Sequence, residues 1–248
     1  MREYCTLTRR ELGGYFLSLT GYIIIAAAVF IMGLGFYVLL DKLQAEPTVM
    51  PITELWSPLI LVLIAITAPV ITMRLFALEK FSGTYETLMT APVTDRQVVF
   101  AKFTAGLIFY AVMWLPLLGC LMVVRHYASD PTGFDAGTVA STFLGILLVG
   151  CLALALGCCA SALTRSQVTA AVIGLVFGTS LFMIGILADH IPAQANWQAQ
   201  ALSSLAFFEQ MHDFSRGIID TRAVVLYLTL TLFFLFLALR IVESRRWK

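Results

Sequence analysis

Apolar residues in this chain come in long unbroken runs. A helix needs about 20 largely apolar residues to cross the hydrocarbon core of a bilayer. Charge-free stretches of that order cover residues 12–40, 55–73, 103–124, 136–164, 166–188 and 223–239. They predict six transmembrane helices. The first and fourth runs exceed a single crossing, so their ends are expected in the interface or in short turns. Alternation with period two is absent, which disfavours a β-barrel. Residues 194–220 are too polar to cross, although 202–208 are greasy enough to touch lipid. The pattern therefore predicts an all-α integral membrane protein with a single transmembrane domain over residues 1–248.

Composition agrees. Of 248 residues, 60% are hydrophobic and 12% charged, and the mean hydropathy is +0.89. A soluble domain carries roughly 25% charged residues. Half that charge cannot cover a water-soluble globule, which excludes a cytosolic enzyme, a disordered tail, a nucleic-acid binder and a disulfide-stapled secreted domain. The placement of cations orients the chain. On one side lie Arg2, Arg9, Arg10, Arg74, Lys80, Arg96, Lys102, Arg165, Arg240, Arg245, Arg246 and Lys248. Only Lys42, Arg125, Arg216 and Arg222 lie on the other. Both termini are thus expected in the cytoplasm, with the loops after helices two and four. The first run is longer than the apolar part of a signal peptide and has no small-residue cleavage site before Asp41, so it is read as a retained helix.

Several chemistries are missing. The cysteines (Cys5, Cys120, Cys151, Cys158, Cys159) are odd in number and form no CxxC pair, which suits small packing residues. No lysine follows a glycine, so a Walker A phosphate loop is absent, as are HExxH and GxSxG. His126, His190 and His212 all fall on the outer side. They are either scattered interfacial histidines or parts of a metal site. The span interiors hold almost no ionisable groups, which argues against a carrier driven by its own buried charges. Energy for transport would come from a partner.

The second cytoplasmic loop, about residues 74–98, carries most information. Helix two is expected to continue past the membrane edge, since Arg74 and Glu79-Lys80 follow without a strong breaker. Ser82-Gly83 interrupts it. A short helix from Thr84 to Thr90 would place Tyr85, Leu88 and Met89 on one face. Pro92 ends that helix. Thr94 and Gln97 then form a Thr-x-x-Gln capping box, with Val93 and Val98 as a staple, and helix three begins. An amphipathic helix so held can dock in a groove of a soluble partner, or it can lie against lipid as a connector.

Met73-Arg74, Glu79-Lys80, Ser82-Gly83-Thr84, Glu86, Leu88, Thr90, Pro92-Val93 and Lys102 together resemble the coupling segment of ABC type-2, exporter-type permeases. The likeness is nearest to the gliding-motility permease branch, which is similar to the permease serving nitrous-oxide-reductase maturation. Arg10-Glu11-Leu12, Tyr15-Phe16 and Gly21-Tyr22 resemble the family's interfacial entry into helix one, an expected N-terminal helix over about residues 6–19. Residues 214–220 and Arg245-Arg246 resemble its last loop and tail. The resemblance implies a bacterial inner-membrane permease subunit paired with a second copy or a paralogue. Cytoplasmic ATPase subunits would carry ATP and Mg, and this chain would bind no cofactor. An additional membrane or outer-side subunit is compatible with it. The resemblance further implies that Glu79, Lys80, Ser82, Gly83, Thr84, Tyr85, Glu86, Leu88 and Met89 dock on the ATPase. Glu79 and Glu86 would either meet its basic groups or stay solvated. A membrane subunit that passes mechanical work to an outer partner, conducting nothing, is the second functional reading. An intramembrane enzyme built on the three histidines is the third.

Two small-residue strips complete the picture. Ala153, Gly157 and Ser161 recur every four residues in helix four, and Ala170, Gly174 and Gly178 do so in helix five. Such strips let helix backbones approach closely, within one subunit or at the subunit interface. For the outer loop at about residues 189–222 the resemblance implies a pair of short helices that dip into the outer leaflet and cap the exit, whereas the residues alone suit a surface loop anchored by Trp197. Leu202, Leu205, Ala206 and Phe208 would form a half-buried helix there.

Overall fold

The computed structural model describes residues 2–45, 52–84, 93–127, 135–189 and 206–244. Among these residues every regular element is a helix. The order is α1 (Arg2–Phe16), α2 (Leu19–Ala45), α3 (Ile52–Thr72), α4 (Ala77–Ser82), α5 (Asp95–Met113), α6 (Leu115–Tyr127), α7 (Ala136–Leu163), α8 (Gln167–Asp189), α9 (Phe207–Ser215) and α10 (Thr221–Ser244). Five stretches are long and apolar enough to cross a membrane: Leu19–Asp41, Ser57–Ser82, Asp95–Val123, Ala136–Leu163 and Thr221–Ser244. The sixth predicted run appears as α8, whose segment Gln167–Ser180 is a shorter apolar helix.

Local sequence explains several helix ends. The Thr94–Gln97 capping box is present at α5: Thr94 Oγ1 accepts from the Gln97 amide at 3.3 Å, and Gln97 Oε1 accepts from the Thr94 amide at 3.0 Å. Ser18 Oγ accepts from the Gly21 amide at 3.2 Å and starts α2. Asp220 Oδ1 accepts from the Arg222 amide at 2.8 Å and starts α10. Gly83 follows α4 at φ 75°, a left-handed conformation that costs glycine nothing.

Helix α7 is the axis of the bundle. In its most apolar window 72% of residues are buried within the protein, against 17% for α2. It packs against α3, α5, α8, α9 and α10. A helix apolar on all sides suits that place. Helix α2 instead packs chiefly on α3 and presents Tyr22, Ile23, Phe30, Leu34, Tyr37 and Val38 outward, a face suited to lipid.

The first run divides, and two predicted continuities are broken. The first run splits at Leu17-Ser18, where α1 turns off to lie along α5. Tyr15 stacks on Phe109 with ring centroids 4.9 Å apart. The third run bends at Trp114, just before Pro116, which has no amide hydrogen to carry the ladder through. The expected extension of helix two also fails: α3 ends at Thr72, and α4 begins only after a turn through Met73–Phe76. Partners distant in sequence favour that break. The Ile71 carbonyl accepts from Tyr15 Oη at 2.8 Å. Ser161 Oγ, from α7, accepts from the amides of Phe76 at 3.0 Å and Ala77 at 3.1 Å.

Candidate functional site

Helix α4 is too short to be stable alone. What fixes it is a junction of charges and hydroxyls from α1, α5 and α7. Lys102 on α5 is 1% exposed, among the most buried residues of the chain. Its Nζ lies 3.1 Å from Glu11 Oε1 and 2.9 Å from Glu79 Oε1. Arg10 bridges the same two oxygens from outside, at 2.8 and 2.9 Å. The Lys102 ammonium also sits 5.5 Å from the centre of the Phe76 ring.

Two cations and two carboxylates cancel, which is what lets a lysine stay buried. Each carboxylate oxygen is shared by both cations, so α1, α4 and α5 are held as one unit. The Arg10 pKa is raised, first by its hydrogen bond to Glu11 and further by the charges of Glu11 and Glu79. Glu79 Oε2 is buried without a hydrogen-bond partner, so the node is asymmetric: one oxygen carries both contacts.

The residues expected to dock on a partner divide into three groups. Glu79 and Lys80 turn inward, Glu79 into the ionic node and Lys80 Nζ onto the Ala162 carbonyl. Ser82, Gly83 and Thr84 are exposed, with the two hydroxyls 2.8 Å apart. Tyr85, Glu86, Leu88 and Met89, with the predicted helix from Thr84 to Thr90, lie beyond Thr84 and outside the described residues. Phe81, in α4, is 78% exposed.

The small-residue strips converge at one point. A Cβ on Gly157 would lie 2.0 Å from Thr72 Oγ1. A Cβ on Gly174 would lie 3.5 Å from Pro69 Cβ and 3.7 Å from the Gly157 Cα. Helix α8 therefore comes close to the backbones of α3 and α7 at Gly174, and Gly157 makes room for the Thr72 side chain of α3. Ala170 is buried and Ala153 half-buried, while among the described residues nothing approaches the Gly178 position within 4 Å. Ser161 acts as a long-range cap for the turn before α4.

At the opposite end α9 wedges against α3, α7 and α8. Its last carbonyls are taken by span hydroxyls: Thr53 Oγ1 donates to the Ser215 carbonyl at 2.7 Å, and Ser141 Oγ to the Phe214 carbonyl at 2.6 Å. Part of the predicted half-buried segment is thus a helix that buries Phe207, Met211 and Phe214. Residues 190–205, with Trp197, Leu202 and Leu205, lie outside the described residues. His126 and His212 lie on α6 and α9, and His190 is outside the described set. Among the described residues no three His, Cys, Asp or Glu side chains gather as metal ligands.

Sequence reasoning missed the Glu11–Lys102–Glu79 node, although a signal existed. Lys102 shares a helical face with Val98, Ala105 and Phe109, all buried. A lone lysine on an apolar face needs a carboxylate partner. Which carboxylate it finds depends on the fold of α1 over α5.

Compared with known proteins, residues 17–243 match a family model described as ABC-2 family transporter protein. No curated protein matches the chain at a significant level.

Proposed function

Because this chain belongs to the ABC-2 transporter family, we propose that it is the permease subunit of an ATP-driven, exporter-type complex in a bacterial inner membrane. In this reading it has six spans, both termini in the cytoplasm, and a partner copy or paralogue in the membrane. Cytoplasmic ATPase subunits bind ATP and Mg, and they dock on the segment from Glu79 to Met89. The wording of residues 73–102 supports the gliding-motility branch within the family.

The observation that carries the mechanism is the ionic node. A push on residues 84–90 reaches α4 through one turn of chain. Glu79 then passes it to Lys102 on α5 and, with Arg10 and Glu11, to α1. Ser161 ties the same turn to the axial helix α7. A small helix bonded to three others passes a displacement on to them, whereas one solvated on all sides would absorb it. The chain does no chemistry of its own here; it converts a cytoplasmic closure into tilting of membrane helices.

The test is purification of the tagged chain in mild detergent from its native host. An ATPase should accompany it in stoichiometric amount and be lost from the triple variant Glu86→Arg, Leu88→Asp, Met89→Asp while the thermal midpoint is unchanged. A chain that purifies without an ATPase, indifferent to those changes, overturns the reading. If the ATPase is present but vesicles reconstituted with the complex move no lipid, polymer or small molecule, the mechanical-coupling reading replaces transport.

A further inference from the structure

The elbow between α1 and α2 holds a second cationic centre with a different character. Leu17 and Ser18 separate the two helices, and the bend is tight: a Cβ on Gly21 would lie 1.9 Å from the Tyr15 carbonyl oxygen. Arg74, in the turn after α3, reaches into this bend. Its Nη1 donates to Ser18 Oγ at 3.3 Å and to Thr20 Oγ1. Among the described residues no carboxylate lies within ion-pair distance of Arg74, whereas Arg10 and Lys102 each have two. A guanidinium carries five N–H donors in a planar fork, and here the hydroxyls occupy one nitrogen. Arg74 is half-buried and lines an open pocket with Glu11, Gly14, Tyr15, Leu75 and Leu78. Glu11 lines the same pocket but makes no ion pair with Arg74, and its Oε1 faces Arg10 and Lys102 instead.

The ligand this centre lacks is an anion that accepts a forked pair of hydrogen bonds, and phosphate fits that geometry. Its surroundings select the source. Leu17 is 86% exposed and Leu19 76%, flanking the elbow with apolar surface. A free anion gains nothing from those leucines, whereas acyl chains cover them. We propose that Arg74, with Ser18 and Thr20, binds the phosphate of a phospholipid headgroup from the inner leaflet and so pins the α1–α2 elbow to the membrane. The site rests on the membrane orientation given above, because it requires the elbow to lie at the inner surface.

Lipid retention by the full-length chain, counted by native mass spectrometry after incubation in detergent, tests this. The probes are phosphatidylglycerol, phosphatidylethanolamine, diacylglycerol and inorganic phosphate. Both phospholipids should be retained, and diacylglycerol, which lacks the phosphate, should not. Arg74→Gln should cut phospholipid retention about tenfold, as expected for losing one forked ion–phosphate contact. Arg74→Lys should fall between, since it keeps the charge and loses the fork. Should Arg74→Gln fail to fold, the pair Ser18→Ala and Thr20→Val, which frees the guanidinium from its hydroxyls, should still lower retention several-fold. Retention unchanged in folded Arg74→Gln, or equal for diacylglycerol, overturns the proposal. Inorganic phosphate that displaces the lipid at millimolar concentration overturns the lipid as source. Thr84→Cys and Ile219→Cys, labelled from each side of sealed vesicles, separate the two readings. Labelling from opposite sides with unchanged lipid retention sinks the headgroup site alone, and labelling from one side sinks the orientation beneath it.

Discussion

The α4 end and the α9 end of the bundle meet the same difficulty with different chemistry. At each, the backbone leaves regular helix where protein and lipid exclude most water, so free amide and carbonyl groups need partners from side chains. The α9 end answers with neutral groups. Hydroxyls of Thr53 and Ser141 take two carbonyls at 2.7 and 2.6 Å, and Phe214 fills the space left open by Gly145. The α4 end adds ions: Ser161 and Tyr15 satisfy the backbone, and Arg10, Glu11, Glu79 and Lys102 then bind three helices into one charge-neutral node. Short hydroxyl–carbonyl bonds hold one geometry. Long side chains around a shared carboxylate oxygen can pivot and stay paired. The ends thus differ in tolerance for movement, and the proposed docking segment adjoins the tolerant one.

The strongest way to break this contrast is to remove the buried cation. Lys102→Met leaves Glu11 and Glu79 sharing a single arginine at the protein edge. Removing one partner of a buried ionic set costs about 3–5 kcal/mol. The variant should therefore show a large drop in thermal midpoint in detergent, while Lys102→Arg should keep part of the stability. If Lys102→Met melts no lower than Ser141→Ala at the α9 end, the charged junction holds nothing together.

At the α9 end the sharpest test is steric. A Cβ at Gly145 would lie 2.9 Å from Phe214 Cβ and 3.0 Å from Phe214 Cγ, atoms near the backbone that cannot swing aside. Overpacking typically costs about 1–3 kcal/mol, and Gly145→Val should fall near the top of that range. In a double-mutant cycle, Phe214→Ala, which removes the Cγ and the ring that the new Cβ meets, should recover part of the loss caused by Gly145→Ala. No recovery would mean that α9 is held by its carbonyl bonds rather than by the wedge.

How legible these ends were depended on the range of the interactions. The Thr94–Gln97 box and the Gly83 stop act within four residues, and both were readable as letters in a row. The long apolar runs were readable too, since composition alone decides whether a helix suits lipid. The break at Met73–Phe76 was not, because its cap is Ser161, 85 residues away from Phe76. The ionic node was half legible: Lys102 on a buried face announces a partner, but Glu11 lies 91 residues off and is found only once α1 folds back on α5. The glycine strips signalled close approach without saying to what, and Gly157 turned out to receive Thr72 from α3 as well as Gly174 from α8.

Ser161→Ala isolates the long-range cap. It leaves the buried amides of Phe76 and Ala77 without an acceptor, at a cost of about 2 kcal/mol. It also loosens α4 without touching any charge. The midpoint should drop less than for Lys102→Met, and amide exchange should quicken at Phe76 and Ala77 before it does in α3. Uniform acceleration across α3 would show that the turn is set by the helix itself and not by α7.

The smallest effect separates local from tertiary capping at the same end. Thr94→Ala removes a side chain that bonds only its own helix start, so it should cost about 1 kcal/mol, the usual value for a lost N-cap. Thr94 is exposed, and water can take over the freed amide of Gln97, which is why the loss stays below that of Ser161, whose amides are sealed. Thr94→Ser should restore the box and the stability with it. The ordering of these two variants is the decisive quantity. If Thr94→Ala destabilises as much as Ser161→Ala, the start of α5 is carrying load for α4.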